Sequence, residues 1–154
     1  MNSIHDICKQ YNIKNYTINS DGSIDVNGYV WLTYEGLTEL PLTFNRVSGY
    51  FICSHNQLTT LKGSPRWVGG YYNCNNNKLT SLEFSPDYVG GYFSCSSNKL
   101  TDNLCDTEIE GYFYTTLKQD GLIINNNNKA TNYNEWRKLY KRKLILDDIF
   151  KIGV

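Results

Sequence analysis

Net charge is the first thing this sequence lacks. Fifteen Lys and Arg balance fifteen Asp and Glu, and charged residues make up only 19% of the 154-residue chain. No global field steers it toward nucleic acid or an anionic membrane. Long apolar runs are missing too. None approaches the roughly 20 residues that a membrane-crossing helix needs. The start, MNSIHDICKQYNIKNY, has neither a long apolar stretch nor a small-residue cleavage site, so a cytoplasmic location is expected. Histidine is scarce, with only His5 and His55. No Ser-His-Asp constellation, phosphate-cradling loop or metal-ligand spacing stands out. The five cysteines include no C-x-x-C pair. Cys53, Cys74 and Cys95 recur every 21 residues, which marks a structural position of small, buried, reduced side chains. The expectation is a single-domain protein that is not an enzyme and needs no metal or cofactor.

Tyrosine is abundant, at 13 residues, and it recurs in phase with glycine. Written from each tyrosine, the units are YVWLTYEGLTELPLTFNRVSG (29–49), YFICSHNQLTTLKGSPRWVGG (50–70), YYNCNNNKLTSLEFSPDYVGG (71–91) and YFSCSSNKLTDNLCDTEIEG (92–111). A fifth start, YFYT, follows at 112–115. These units fit the leucine-rich-repeat frame L-x-x-L-x-L-x-x-N-x-L. The predicted fold is an α/β-type, mainly β solenoid with a parallel sheet on its concave face. Period-two alternation points Val30/Leu32, Phe51/Cys53, Tyr72/Cys74, Phe93/Cys95 and Phe113/Thr115 inward. Leu37, Leu58, Leu79 and Leu100 turn into the same core, and Leu40, Leu61 and Leu82 deepen it. Asn56, Asn77 and Asn98 are expected at a bend, bonding backbone groups that the ladder does not reach. Thr38, Thr59, Thr80 and Thr101 form another structural column. The glycines before each tyrosine permit close approach or positive φ, and Pro65 and Pro86 mark the return path.

A stack of repeats needs ends. Residues 1–28 read as an N-terminal cap, with a short helix near 3–10 and a hairpin around Asp21-Gly22. Residues 29–115 are the repeats. Residues 116–154 read as a hairpin strand turning at Asp120-Gly121, an Asn-rich loop and a capping helix that starts near Asn132, with Glu135 in capping-box spacing.

The phrase N-x-L-T-S-L…P-x-x-V-G-G-x-F-x-C-S-x-N-x-L resembles the short leucine-rich-repeat proteins of tailed bacteriophages and some bacteria. The segment DGSIDVNGYVWLTYEGLTELPLTFNRVSG is similar to the opening unit of that group. The resemblance covers roughly residues 16–115. It implies the solenoid and a viral or mobile-element origin, hence a host cytoplasm, and it carries over no catalytic residue. The group commonly has Asp after V-G-G, where this chain has Tyr29, Tyr50, Tyr71, Tyr92 and Tyr112. The repeats also resemble those of bacterial effectors, some of which carry a cysteine-dependent ubiquitin ligase. Cys105-Asp106 lies within a repeat here, so that activity is not carried over.

The five tyrosines point outward and are expected to form a ladder across the concave face. Beside it come Trp31, Ile52, Asn73, Ser94 and Tyr114, and on the rim Tyr34, His55, Asn76 and Ser97. The expected contact set is Tyr29, Trp31, Tyr34, Tyr50, Ile52, His55, Tyr71, Asn73, Tyr92, Tyr112 and Tyr114. Its chemistry suits protein recognition, because Tyr offers contact area at low entropy cost and a hydroxyl. The same column could instead serve the sheet alone, at roughly 0.2–1 kcal/mol per cross-strand pair. The expected partner is therefore a protein, with a host defence factor as the sharper form. A second copy of the chain is the alternative occupant of so flat a face. A different reading places nucleic acid on WRKLYKRK, through Arg137, Lys138, Lys141, Arg142 and Lys143. Asp147 and Asp148 weaken that field. A third is a structural component of a virion.

Overall fold

The computed structural model describes residues 2–101, 105–115, 118–119, 122–123, 138 and 142. In chain order the elements are α1 (Ile4–Gln10), β1 (Tyr16–Ile18), β2 (Ile24–Val26), β3 (Val30–Trp31), β4 (Phe44–Val47), β5 (Phe51–Ile52) and β6 (Trp67–Val68). These are followed by β7 (Tyr72–Asn73), β8 (Tyr88–Val89), β9 (Phe93–Ser94), β10 (Glu108–Ile109), β11 (Phe113–Tyr114), β12 (Lys118–Gln119) and β13 (Leu122–Ile123). They wind into a mainly β, parallel-sheet solenoid of about four turns.

Each coil adds one strand before its glycine corner and one after it. The strands after the corner make a five-stranded sheet in the order β11-β9-β7-β5-β3. Its registers repeat the sequence period: Phe51 lies beside Val30, Tyr72 beside Phe51, and Phe93 beside Tyr72. The strands before the corner make a second sheet of six, ordered β1-β2-β4-β6-β8-β10. The parallel sheet expected after the corner is thus joined by a second one, on the return path, that the sequence reading did not include. The return segments are strands because each places an apolar residue inward next to an outward one: Val26, Val47, Val68, Val89 and Ile109 are all buried. All neighbours in both large sheets pair in parallel except β1 with β2.

The core lies between the sheets. Phe44 meets Phe51 edge-on at 5.0 Å, Phe51 stacks on Tyr72 at 5.6 Å, and Tyr72 and Phe113 both present edge contacts to Phe93. Fully burying an apolar side chain of this size is worth about 1.5–3 kcal/mol. Leu32, Leu58, Leu61, Leu79 and Leu82 close the remaining sides. Leu37 is half-buried against them. Tyr72 is the one inward phenol in its column, and its hydroxyl bonds Ser64 Oγ at 2.7 Å.

The asparagines act as clamps between coils. The Asn77 Oδ1 accepts the Leu58 N–H at 3.0 Å, while its Nδ2 donates to the carbonyls of Cys53 (3.0 Å) and Cys74 (3.1 Å). Asn56 does the same for the first coil, accepting from Glu35 and Leu37 and donating to the Leu32 carbonyl at 2.6 Å. Asn98 accepts from Leu79 and donates to the Cys74 and Cys95 carbonyls. One amide thus satisfies backbone groups of two successive bends, where no ladder bond reaches.

From the second coil on, the glycine corner serves close approach rather than positive φ, whereas Gly28, at φ +150°, has open space where a Cβ would stand. A Cβ on Gly49 would stand 2.6 Å from the Gly28 carbonyl oxygen, and one on Gly70 would stand 2.9 Å from that of Gly49. Backbone fills the space a side chain would need.

At the N-terminal end, α1 starts with a capping box between Ser3 and Asp6 and contributes buried Cys8 to the core. The hairpin turns at Asp21-Gly22, with Gly22 at φ +81°, and lays β1 on the edge of the six-stranded sheet. At the other end β12 and β13 form a separate antiparallel pair. The turn at Asp120-Gly121, the Asn-rich loop and most of the expected helix fall outside the described residues. Lys138 and Arg142 are helical and exposed.

Two substitutions and a control test this packing. Asn77→Ala leaves backbone groups on two coils without partners and should lower the unfolding free energy by about 3 kcal/mol. The exposed Thr80→Ala should stay within about 0.5 kcal/mol. Gly70→Ala should cost about 1–3 kcal/mol through backbone overlap. Urea denaturation of the three variants checks the ranking, and an Asn77→Ala as stable as Thr80→Ala would contradict the clamp.

Candidate functional site

The glycine corner sets the first outward side chain after it at the same height in every coil. Four tyrosines stack there. Ring centroids are 4.9 Å apart for Tyr29–Tyr50 and Tyr50–Tyr71 and 4.5 Å apart for Tyr71–Tyr92, with interplanar angles of 17°, 9° and 8°. These distances match the spacing of parallel strands. The rings therefore cover one another's faces, and edges and phenol hydroxyls are what they present to solvent. Tyr50, Tyr71 and Tyr92 are half-buried, whereas Tyr29 at the end of the row is 54% exposed.

The expected fifth rung is not part of the stack. Tyr114, paired with the small Ser94, turns over Tyr92 and meets it edge-on at 5.8 Å and 80°. Tyr112 leans toward Tyr114 instead, tilted by 38°. The next outward column is also less open than expected. Trp31 is 52% exposed and touches Tyr50 edge-on. Ile52 is 6% exposed and adds no contact area; it sits in register between Trp31 and Asn73, on a face already crowded by the tyrosine row. Asn73 is half-buried, and its Oδ1 accepts the Asn75 N–H. The polar groups beside it bond each other: Thr33 Oγ1 with Ser54 Oγ, while the Asn75 Oδ1 accepts from the Ser94 hydroxyl and the Ser96 backbone N–H.

The rim column holds a feature that the period did not reveal. Tyr34, His55, Asn76 and Ser97 all take left-handed backbone, at φ 61°, 55°, 54° and 56°. Asn tolerates that conformation; Tyr, His and Ser adopt it at a cost. The bend that carries the clamping asparagines imposes it. Asn76 alone hints at the geometry in the sequence. Tyr34 stacks on His55 at 4.4 Å and is 73% exposed, and the His55 Nε2 lies 3.4 Å from the Asn76 Nδ2. Tyr29, Trp31 and Tyr34 thus gather on the first coil, with His55 beside them.

A second aromatic row lies on the six-stranded sheet. Trp67 stacks on Tyr88 at 5.5 Å, and the Arg46 guanidinium sits 3.4 Å above the Trp67 ring centre. The signal for it was the residue preceding each buried valine, in R-V-S-G, W-V-G-G and Y-V-G-G. In the basic run, Lys138 and Arg142 are exposed; Arg137, Lys141 and Lys143 lie outside the described residues.

The electrostatics follow from burial and stacking. Desolvation and the adjacent Tyr71 and Tyr29 raise the Tyr50 phenol above its usual value. Desolvation, then Tyr71, raises Tyr92. Burial pushes Cys53 up to about 12 and raises Cys74, Cys95 and Tyr72 well above their ordinary ranges. Those three thiols stay protonated near neutral pH, which removes the form that attacks or ligates. Among the described residues, no group of three His, Cys, Asp or Glu is placed to hold a metal ion, and no helix is long and apolar enough to cross a membrane. Comparison with protein-family models, with curated proteins and with solved structures finds no match.

The raised pKa values give a stability prediction with a definite sign. Each group holds its proton more tightly folded than unfolded, so its contribution is fully present below the unfolded values of 9.0 for Cys and 10.0 for Tyr. It is lost as pH rises through the folded values. Urea midpoints should fall steeply above pH 9. Tyr72→Phe should lower stability at neutral pH by about 1 kcal/mol, through the lost Ser64 bond, yet flatten the alkaline fall. An equally steep fall in that variant would contradict the assignment.

Proposed function

We propose that this chain is a non-enzymatic protein-binding module that captures its partner on the outer face of the five-stranded sheet. The observation that carries this reading is the aromatic surface itself. Four of the six exposed large apolar side chains among the described residues, Tyr29, Trp31, Tyr34 and Tyr112, belong to that face. They adjoin a row of phenol hydroxyls already ordered by stacking. Tyr and Trp are the side chains that dominate binding hot spots. Ordering them before the encounter reduces the entropy cost of association. The protonated, buried thiols support a binding role over cysteine chemistry.

The repeats are read as leucine-rich repeats of the phage type. The buried Leu58, Leu61, Leu79 and Leu82 and the Asn56, Asn77 and Asn98 clamps support that assignment. With it comes the sharper form of the proposal: capture of a host protein, such as a component of a defence system. A second reading places nucleic acid on the basic run. It is favoured by Lys138 and Arg142, four residues apart, both helical and exposed.

The test is affinity purification from native or infected cells, with Tyr50→Asp, Tyr71→Asp and Tyr92→Asp combined as control and circular dichroism to verify its fold. The face predicts a stoichiometric protein partner that the folded variant loses by tenfold or more. Undiminished capture would overturn it. The basic run predicts instead a nucleic-acid affinity that falls with added salt and with Lys141→Glu plus Arg142→Glu.

A further inference from the structure

In the five-stranded sheet the inward residues donate forward to the next coil. The N–H groups of Val30 and Leu32 donate to the Tyr50 and Ile52 carbonyls, at 3.0 and 2.8 Å. Phe51 and Cys53 donate to Tyr71 and Asn73, Tyr72 and Cys74 to Tyr92 and Ser94, and Phe93 and Cys95 to Tyr112 and Tyr114. In every later coil, then, the two outward carbonyls accept from the coil before. The equivalent carbonyls on the first coil are those of Tyr29 and Trp31. Among the described residues nothing donates to them. In a parallel ladder the outward residue between them also turns its N–H to that edge, so β3 offers an acceptor, a donor and a second acceptor.

The two sheets end differently at this side. The six-stranded sheet is extended by β1, which the chain supplies itself. The five-stranded sheet stops at β3. Proteins that guard an open edge place charge, proline or a bulge on it. Here the exposed side chains from 29 to 34 are Tyr29, Trp31 and Tyr34. Tyr29 has one stacked neighbour and one uncovered ring face, at the end of a row whose other members are covered on both sides.

We infer that β3 is a docking edge for an extended strand of a partner protein, added in parallel as a further coil would be. This deepens the binding reading above and rests on it. The register follows from the repeat. A partner residue p donates its N–H to the Tyr29 carbonyl and accepts from the Trp31 N–H. Residue p+2 donates to the Trp31 carbonyl. The side chain at p−1 lies on the free face of Tyr29, which selects an aromatic or other flat group, and the side chain at p+1 packs on Trp31. Main-chain bonds supply affinity and these two positions supply specificity.

The chain's own repeat strand is a suitable probe. A synthetic peptide of residues 70–76 with glycine in place of Tyr72 and of Cys74, the two positions that would face the closed core beside the fully buried Val30 and Leu32, places Tyr71 at p−1 when position 72 is p. It should bind the full chain saturably and shift the backbone amide signal of Trp31 in NMR titration. N-methylation at positions 72 and 74 removes the two donors and should weaken binding tenfold or more. N-methylation at Tyr71 and Asn73, which face away, should leave it within about threefold. Combined Tyr71→Asp and Tyr92→Asp lie away from β3 and should leave peptide binding unchanged. Trp31→Glu, which keeps the tyrosine row, should lose both peptide binding and partner capture; full partner capture by a Trp31→Glu chain that no longer binds the peptide would count against the edge and not against the tyrosine face. Equal weakening by both methylation patterns, no Trp31 shift at millimolar peptide, or a peptide-free dimer by sedimentation that Trp31→Glu abolishes would each overturn the proposal; the last would assign the edge to a second copy.

Discussion

Neighbouring coils are joined by backbone hydrogen bonds between residues about 20 apart, forward from the inward residues of the five-stranded sheet and back from the glycine corners, and this ladder determines the character of every position. It holds equivalent residues one strand spacing apart. A residue type that suits one coil must then suit its own image above and below. Inward positions become continuous apolar columns. Corner positions become glycine, because backbone fills the space of a Cβ. The bend becomes asparagine, because one amide must serve two coils at once. Outward positions become stacks, since a flat ring placed 4.5–4.9 Å from its image covers it face to face. The tyrosine row is thus a consequence of the ladder as much as of any partner. What a partner can use is the part that stacking leaves uncovered.

The period was legible because it recurs through four units. It located the inward pairs from Val30/Leu32 to Phe113/Thr115, the leucines that close the core, and the structural role of Asn56, Asn77 and Asn98. The second sheet was not legible in the same way. Half of its strands are two residues long and carry a single inward residue each, Val68, Val89 or Ile109, too short a run to show alternation against the flanking prolines and serines. The left-handed rim was hidden because the bend, not the intrinsic preference of Tyr34 or His55, imposes it. Ile52 and Tyr112 show the limit of column reasoning. Alternation gives the direction of a side chain, but exposure depends on the size of its neighbours: Ile52 is crowded, and Tyr114 rather than Tyr112 takes the place beside Tyr92.

The two ends of the row differ in consequence. Through the middle, ring faces are consumed and only hydroxyls and edges remain, a surface suited to oriented hydrogen bonds. At the first coil, one face of Tyr29 lies beyond the stack and, among the described residues, nothing donates to the Tyr29 and Trp31 carbonyls, a surface suited to added strand and stacked ring. A partner that engages both would use one continuous strip, with polar specificity along the row and apolar contact at its end. A solenoid supports this division because each coil contacts only its neighbours, so its first coil carries different chemistry without disturbing the others.

The central claim is that the tyrosine row is exposed for recognition and not only for the strength of the sheet. Replacing Tyr50, Tyr71 and Tyr92 together with phenylalanine separates the two, because it keeps the stacked rings and removes only the hydroxyls. Binding affinity and unfolding free energy should be measured on the same sample. The account predicts stability within about 0.5 kcal/mol for each exposed hydroxyl removed, together with a clear loss of partner affinity. Unchanged affinity with a large loss of stability would show that the row serves the sheet alone.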